Sequence, residues 1–464
     1  MSSFVGRQRE LRALEAAAAD ARSHLIPLYG RRRVGKSTLL LHFLRDRPAL
    51  YYLGKQSPPQ LQLAEFLQLA AQLVDEPLLT ALPTDDWRRA LEAVTQRWRG
   101  PEKLVLVFDE LQWMVGASPE LPSILQGLWD RVWKPAGNVL IILCGSYIGF
   151  MEREVLGQES PLFGRRTRQI HLQPFDHLEA RRFHPGWSLA DAAQARFICG
   201  GIPLYLEAFD PGRSIAQNVQ ATLLDEFAPL YQEPIFLLRE ELRDVSSYHA
   251  ILTALASGSR TASEIAAATG LPERSLPYYL NQLEELRYVR RRYPLTGKPP
   301  VVRHVRYVLD DPLLRFWFRF VYPEVSLIKQ LGSERAWDKR IAPRFDAWCG
   351  GGFEVLCREA LPGLYAREGV TAPYEIGEYW STRKADAVQI DLVGHREDGW
   401  TDLGECKWGA APSGPKLLAE LAQKKRRYPN DRNATIGLRL FTRSPVTVDD
   451  PAVRVHTLED LYAE

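Results

Sequence analysis

The 464-residue chain lacks several features that would mark a secreted or membrane protein. Its five cysteines are widely spaced and form no CxxC pair, so neither a disulfide framework nor a structural zinc site is expected. The longest apolar runs, such as residues 139–145, are far shorter than the roughly 20 residues of a membrane helix. The first residues carry charge and no apolar leader stretch. We therefore expect a cytoplasmic protein with no membrane partner.

Net charge is also nearly absent. Lys and Arg number 59 and Asp and Glu number 57, which gives +2 at pH 7. This balance excludes a protein whose whole surface binds nucleic acid, but it leaves room for a local basic patch. Hydrophobic residues make up 45% and charged residues 25%, as in ordinary globular domains. A chain of this length is expected to hold about three domains.

Secondary-structure patterns divide the chain into segments. Short apolar strands alternate with helices through residues 1–175, which predicts a parallel sheet covered on both faces. After a helical stretch, three helices and a β-like hairpin predict a winged helix-turn-helix. A helix, three strands, a basic helix and a fourth strand then predict a second α/β domain. The predicted boundaries are 1–175 for the parallel core, 176–245 for a helical lid, 246–309 for the winged module, 310–345 for a connector and 346–464 for the C-terminal domain.

The strongest motif is a phosphate-binding loop. Residues 30–37, GRRRVGKS, fit G-x-x-x-x-G-K-[ST] and lie between a predicted strand and a predicted helix. In this pattern backbone amides surround the phosphates, Lys36 reaches the β and γ oxygens, and Ser37 is a ligand of Mg²⁺. The residues predicted to bind ATP here are Gly30, Arg31, Arg32, Arg33, Val34, Gly35, Lys36, Ser37 and Thr38.

Two carboxylates complete the predicted ATPase site. Asp109 and Glu110 follow the apolar run LVLVF, so they are expected at the edge of the sheet where the strands end. Asp109 is predicted to hold Mg²⁺, and Glu110 to polarise the attacking water as a general base. The next strand ends in Gly145 and Ser146, and Ser146 is predicted to touch the γ-phosphate or the water.

Several motifs resemble the archaeal-type ATPases, which lie at the border of the AAA+ and STAND nucleotide switches. The motifs are FVGRQREL at 4–11, the P-loop, FDE at 108–110, CGS at 144–146, GRR at 164–166 and GGIPLYL at 200–206. The resemblance implies that Gly6 and Arg7 lie beside the adenine and that Pro203 contacts the base. It also implies that Arg165 senses the γ-phosphate, in its own subunit or in a neighbour of an ATP-dependent homo-oligomer. The alternative for Arg165 is a solvated basic loop.

The near-zero net charge conceals a basic segment. Residues 248–308 carry nine Lys or Arg against four acids. Arg274 lies near the start of the predicted recognition helix, and the wing begins with Arg290, Arg291 and Arg292. These positions are typical of contacts to base edges and phosphates, so DNA is the expected partner. The alternative is a winged module that serves only as an interdomain or dimer contact.

The C-terminal domain carries a carboxylate pattern. Asp391 ends one β-rich run, and Glu405 and Lys407 share one face of the next because strand side chains alternate. Two acids can hold Mg²⁺ against a phosphodiester, and a lysine can orient water. The pattern resembles the D…E-x-K core of PD-(D/E)xK nucleases, in which Glu354 on the preceding helix would supply a further acid. Asp391 and Glu405 are therefore predicted metal ligands, and Asp391, Glu405, Lys407 and Glu354 predicted catalytic residues.

These patterns together predict a multidomain α/β protein. It would combine a P-loop ATPase core of the ASCE or AAA+ type, a helical lid, a winged helix-turn-helix and a restriction-endonuclease-like domain. The predicted function is a Mg²⁺-dependent DNA nuclease that is regulated by binding and hydrolysis of ATP. Two alternatives stay open: a nucleotide-switched DNA- or partner-binding regulator with an inactive nuclease fold, and an RNA-directed nuclease.

Overall fold

The computed structural model describes residues 4–81, 86–242, 244–299, 301, 305–381, 387–410 and 413–463. The chain divides into two units, residues 1–174 and 175–464, and the finer sequence boundaries within the second unit stay predictions. All five cysteines are buried and free. Within the described ranges, every helix is too short or too polar to cross a membrane.

A five-stranded parallel sheet forms the centre of the first unit, as the alternating strands and helices predict. Its strands are β1 (His24–Tyr29), β2 (Ala49–Leu53), β3 (Leu104–Asp109), β4 (Val139–Gly145) and β5 (Ile170–His171), in the order β2-β3-β4-β1-β5. Every residue of β1, β3 and β4 is buried, which explains their continuously apolar sequences. Because β1 and β3 both neighbour β4, the segments that follow these three strands meet at one edge of the sheet.

Helices alternate with these strands along the chain. They are α1 (Gln8–Ala19), α2 (Lys36–Leu44), α3 (Pro59–Val74), α4 (Trp87–Arg97), α5 (Leu111–Ala117), α6 (Leu121–Leu128), α7 (Lys134–Ala136) and α8 (Ile148–Phe150). Aromatic rings dominate the contact of α3 and α4 with the sheet: Phe66 lies 5.2 Å from Trp87 and 5.8 Å from Tyr52 between ring centroids. This packing buries the apolar face of each helix and holds the strand ends in place.

The second unit begins with helices. They are α9 (His177–Arg181), α10 (Leu189–Cys199), α11 (Pro203–Glu207), α12 (Ile215–Thr222) and α13 (Pro229–Glu241). Side chains cap several of them: Ser188 accepts from the amide of Asp191, and Ser214 forms a capping box with Gln217. The sequence prediction of a helical segment after residue 175 is confirmed.

The winged helix-turn-helix follows. Its helices are α14 (Val245–Leu255), α15 (Ala262–Thr269) and α16 (Leu276–Glu285), and its hairpin is β6 (Val289–Arg292) paired antiparallel with β7 (Arg306–Leu309). Thr261 and Glu264 form a capping box at the start of α15. Gly270 ends the helix with φ of 72°, a left-handed conformation that suits glycine. The predicted winged arrangement is confirmed.

The predicted connector is helical and aromatic. It contains α17 (Pro312–Phe316), α18 (Val325–Leu331) and α19 (Ser333–Ala336), with a π-helical turn over Trp317–Val321. Trp317, Phe318 and Phe320 are each 1% exposed. The aromatic run therefore packs inside the second unit, as its composition indicates.

A five-stranded mixed sheet forms the C-terminal part. The elements in chain order are α20 (Ala342–Arg367), β8 (Tyr374–Ser381), β9 (Val388–Arg396), β10 (Trp400–Lys407), α21 (Gly414–Arg427), β11 (Thr435–Thr442), β12 (Val453–His456) and α22 (Leu458–Leu461). The sheet order is β12-β11-β10-β9-β8, antiparallel from β8 to β10 and parallel from β10 to β12. The α-β-β-β-α-β order that the sequence predicts is present. The short β12 and α22 are additions that the sequence pattern did not indicate.

Candidate functional site

The phosphate-binding loop follows β1 and opens α2. A Cβ atom at Gly30 would lie 2.3 Å from the carbonyl oxygen of Leu172, so only glycine fits there. Gly35 has φ of 87° and Arg33 has φ of 67°, which turns the backbone sharply around the loop. Lys36 Nζ donates to the carbonyl oxygens of Gly30 at 2.9 Å and Arg31 at 3.0 Å. Lys36 is buried, which lowers the pKa of its ammonium group.

The end of β3 faces this loop through Asp109. Ser37 Oγ donates to Asp109 Oδ2 at 2.8 Å, so the two predicted Mg²⁺ ligands are in contact. The hydroxyl of Tyr51 on β2 donates to the same oxygen, and burial followed by the charge of Asp109 raises the pKa of Tyr51. Asp109 is 1% exposed, so these donors replace the water that its carboxylate loses. Tyr51 was not predicted, because only the strand pairing of β2 with β3 brings it to this point.

Glu110 and Ser146 also meet, at the neighbouring strand ends. Ser146 Oγ donates to Glu110 Oε2 at 2.6 Å. The amide of Gln112 donates to the same Glu110 oxygen and lies 3.2 Å from Ser146 Oγ. Glu110 has φ of 52°, a left-handed conformation that is costly for a residue with a side chain. Gln112 was not predicted, although its place two residues after Glu110 is visible in the sequence.

The family resemblance assigns nucleotide contacts to several further residues, which lie in different elements of the structure. Arg7 has φ of 62° and donates from Nη2 to the carbonyl oxygen of Val34 at 3.0 Å, so it braces the phosphate-binding loop. Arg165 is paired with Asp130 at 2.7 Å from Nη2 to Oδ2. Pro203 is the first residue of α11. The predicted nucleotide contacts of Gly6, Arg7, Arg165 and Pro203 stay predictions.

A second group of charged side chains lies in the C-terminal domain. Glu354 comes from α20, Asp391 from β9, and Glu405 and Lys407 from β10. Lys407 Nζ lies 2.8 Å from Glu405 Oε1. Lys424 of α21 pairs with the other oxygen of Glu405. Asp391 accepts from the backbone amide of Cys406 at 3.1 Å, which fixes it beside β10.

The three carboxylates of this group interact electrostatically. Burial and then the charge of Asp391 raise the pKa of Glu354 to about 7. Burial and then the charge of Glu405 raise the pKa of Asp391 to about 6. Asp391 is 8% exposed and Glu405 2% exposed, so little water screens the repulsion. The four residues that the sequence singled out therefore form one electrostatic group, to which the structure adds Lys424.

The donor chemistry of this group suits a hard cation. Carboxylate oxygens are the ligands that Mg²⁺ takes in proteins, and mutual repulsion of buried carboxylates is relieved by a cation. The arrangement itself is incomplete, however. Over the described ranges, His, Cys, Asp and Glu side chains form no set of three or more that could hold a metal ion. Asp391 and Glu405 stay the predicted ligands at this site.

The arginines of the winged module divide into two kinds. Arg274 is exposed just before α16. The three wing arginines are instead engaged within the chain: Arg290 pairs with Asp310 at 2.9 Å, Arg291 with Glu284 at 2.8 Å, and Arg292 with Glu378 of β8. The side chain of Arg292 is only 17% exposed, so its partner is a carboxylate of the C-terminal sheet and not the predicted phosphate.

Three family models match parts of the chain. Residues 4–209 match an ATPase domain found predominantly in Archaea, which confirms the prediction of an ATP-binding P-loop domain. Residues 250–291 match the arsR family of bacterial regulatory proteins with a helix-turn-helix. Residues 317–423 match archaeal and bacterial proteins of unknown function.

Individual proteins resemble longer stretches. An uncharacterized protein of Methanocaldococcus jannaschii is 28% identical over 408 residues, which span 87% of each chain. A Walker-type ATPase of Pyrococcus abyssi is 22% identical with a TM-score of 0.48, and covers 68% of this chain and 96% of its own. The ORC2 protein of Aeropyrum pernix, in complexes with ADPNP and ADP, is 16% identical with a TM-score of 0.42, over 71% and 96% of the two chains.

Replacement of Lys36 by Ala should weaken ATP binding by about 100-fold, because it removes charged hydrogen bonds of about 1.5–3 kcal/mol each. Calorimetric titration with ATP measures this change. Lys103→Ala is the control, because Lys103 precedes β3 at the opposite edge of the sheet. Near-wild-type affinity in the Lys36 variant would overturn the assignment of the phosphate site.

The carboxylate group also predicts a pH dependence. Glu354 and Asp391 have raised pKa values, so between about pH 4 and pH 7 the folded protein holds more protons than the unfolded chain. Their contribution to stability is therefore present at low pH and lost as the pH rises through this window. Denaturant unfolding at a series of pH values should show this loss for the wild type and a smaller one for Glu354→Gln.

Glu459→Gln is the matched control, because Glu459 is an exposed glutamate on α22. It should keep the wild-type pH dependence. An identical profile for Glu354→Gln and the wild type would show that Glu354 does not titrate as described.

Proposed function

We propose that the chain hydrolyses ATP at the phosphate-binding loop and uses the nucleotide state to regulate a Mg²⁺-dependent DNA nuclease in its C-terminal domain. The ATPase part is supported by the match of residues 4–209 and by the contact of Ser37 with Asp109. The observation that carries the nuclease part is the convergence of Glu354, Asp391, Glu405 and Lys407 from three elements of the α-β-β-β-α-β domain.

At the phosphate-binding loop, the role that we propose for each side chain follows from its position. Lys36 would neutralise the phosphates, and Ser37 and Asp109 would hold Mg²⁺. Glu110 would polarise the attacking water after its carboxylate breaks its hydrogen bonds with Ser146 and Gln112. Arg165 would have to leave Asp130 to reach a γ-phosphate. An assembly through this arginine would appear as an ATP-dependent increase in molecular mass.

At the second site Asp391 and Glu405 would hold Mg²⁺, which stabilises the charge that develops on a phosphodiester under attack. Lys407 would orient water or neutralise the phosphate. Glu354, with its raised pKa, can hold a proton near neutral pH and would act as the further acid. Lys407 and Lys424 both pair with Glu405. If Glu405 turned to the metal, Lys424 would become free to bind the phosphate.

A second candidate function is a regulator in which the C-terminal domain has no catalytic role. Both lysines are paired with Glu405, and no group of three metal-holding side chains exists in the described ranges. In that case the nucleotide state would control binding of DNA or of a protein partner. The two candidates differ in one measurable respect, the cleavage of nucleic acid.

The nuclease proposal predicts that Glu405→Gln and Lys407→Met each reduce Mg²⁺-dependent DNA cleavage at least about 100-fold, as loss of a group that stabilises the transition state does. Supercoiled plasmid, linear duplex, single strands and RNA would be incubated with ATP, with ADP and with a non-hydrolysable analogue. Lys416→Ala is the control, because Lys416 is exposed on α21. Cleavage that persists in both variants would come from another source, and ATP hydrolysis without any cleavage would favour the regulator.

The winged module predicts a second result. Arg274→Ala should weaken binding to duplex DNA by about 10-fold, because one base or phosphate contact contributes about 1–3 kcal/mol. Fluorescence anisotropy at several salt concentrations measures the change. Arg335→Ala, at an exposed arginine of the connector, is the matched control and should bind as the wild type does. Equal weakening in both variants would contradict a specific role for Arg274.

A further inference from the structure

A cavity of about 430 Å³ lies inside the second unit, and its lining includes three residues described above, Glu354, Arg290 and Arg292. The ends of β6 and β7 border it together with α10, α17 and α20. The apolar part of its lining includes Phe197, Leu309 and Leu356. The charged part consists of four arginines, Arg196, Arg290, Arg292 and Arg315, and three carboxylates, Asp310, Glu354 and Glu359.

Three of these arginines have a carboxylate partner. Arg196 Nη2 lies 3.0 Å from Glu359 Oε2, and Arg290 pairs with Asp310. Arg292 pairs with Glu378. Their charges are therefore compensated within the chain, and their remaining N–H groups line the cavity as additional donors.

For Arg315 the compensation is incomplete. Its Nε is buried without a hydrogen-bond partner, as is the Nε of Arg196. The guanidinium lies 4.8 Å from the ring centroid of Trp348, a contact that compensates part of the lost hydration. Burial lowers the pKa of Arg315, although the charges of Glu354, Asp310 and Asp311 act in the opposite direction. An anion that pairs with this guanidinium would complete its compensation.

Glycine keeps the cavity open beside this guanidinium. A Cβ atom at Gly351 would lie 3.6 Å from Arg315 Nη1 and within 4 Å of no other described side chain. A longer side chain at residue 351 would therefore extend into the space in front of Arg315. At the preceding Gly350, on the same helix, a Cβ atom would meet no described atom within 4 Å outside the helix backbone.

We propose that this cavity binds the phosphomonoester group of a nucleotide, with Arg315 as its main contact. The planar fork of a guanidinium matches phosphate oxygens with two parallel hydrogen bonds, and a phosphomonoester dianion would complete the compensation of the Arg315 charge. The apolar wall provides a surface for a base or sugar. The phosphate belongs to a free mononucleotide or to the phosphorylated end of a DNA strand. This inference does not depend on cleavage of DNA by the C-terminal domain.

The test uses the full-length Lys36→Ala protein, so that the phosphate-binding loop does not contribute. Isothermal titration calorimetry would compare four probes: inorganic phosphate, deoxyadenosine monophosphate, a short 5′-phosphorylated oligonucleotide and the same oligonucleotide with a 5′-hydroxyl. We expect the phosphorylated oligonucleotide to bind more tightly than its hydroxyl form. Additional binding of the mononucleotide identifies a small-molecule site, whereas binding of the phosphorylated strand alone identifies a strand-end site.

Two variants connect the binding to the cavity. Arg315→Met and Gly351→Leu should each weaken phosphomonoester binding about 10- to 100-fold, and Gly350→Leu should leave it unchanged. Thermal unfolding without ligand supplies the readout that separates a binding role from a structural one. Arg315→Met should unfold at the wild-type temperature or above, because it removes a charge whose desolvation is incompletely compensated.

Three results would overturn the inference. The first is equal affinity for the phosphorylated and hydroxyl oligonucleotides together with no binding of the mononucleotide. The second is wild-type phosphate binding by Arg315→Met or by Gly351→Leu. The third is equal loss of binding in Gly350→Leu and Gly351→Leu, which would assign the effect to the helix and not to the cavity.

Discussion

A charged side chain can be buried in either unit only where an opposite charge or several hydrogen bonds compensate the loss of water. Lys36 donates to two carbonyl groups of its own loop, and Asp109 accepts from Ser37 and Tyr51. Arg439 of β11 has no exposed surface and pairs with Glu368 at 2.7 Å and Asp402 at 3.1 Å. The phosphate-binding site consists of such compensated groups, whereas compensation is incomplete for Glu354 and Asp391 in the C-terminal domain and for Arg315.

Several of these compensated groups lie at one edge of the parallel sheet, where they form the proposed ATPase site. Because β4 lies between β1 and β3, the phosphate-binding loop, Ser146 and the Asp109–Glu110 pair follow three adjacent strands. Their side chains are hydrogen-bonded to one another: Ser37 donates to Asp109 and Ser146 donates to Glu110. A nucleotide with its metal would compete for these same donors and acceptors, which couples nucleotide binding to rearrangement at the strand ends.

The sequence predicted most of the fold because its signals are local. Fully buried strands have continuous apolar sequences, glycines mark turns that other residues cannot make, and the phosphate-binding loop is contiguous. The carboxylate group was also predictable, since Glu405 and Lys407 alternate on one strand. Partners from distant elements could not be predicted. Tyr51 reaches Asp109 only through strand pairing. Lys424 contacts Glu405 from α21, and Arg292 contacts Glu378 on β8.

The sequence by itself determined the phosphate-binding loop, the order of helices and strands and the acidic residues near strand ends, because each depends on neighbours within a few positions. Only the tertiary structure decided which charges are compensated. Wing arginines that look free to bind phosphate are paired with carboxylates of other elements, while Arg315, within an unremarkable aromatic run, has a buried Nε without a hydrogen-bond partner beside a cavity. Burial and distance set the strength of a charge interaction, and neither is visible until the elements pack together.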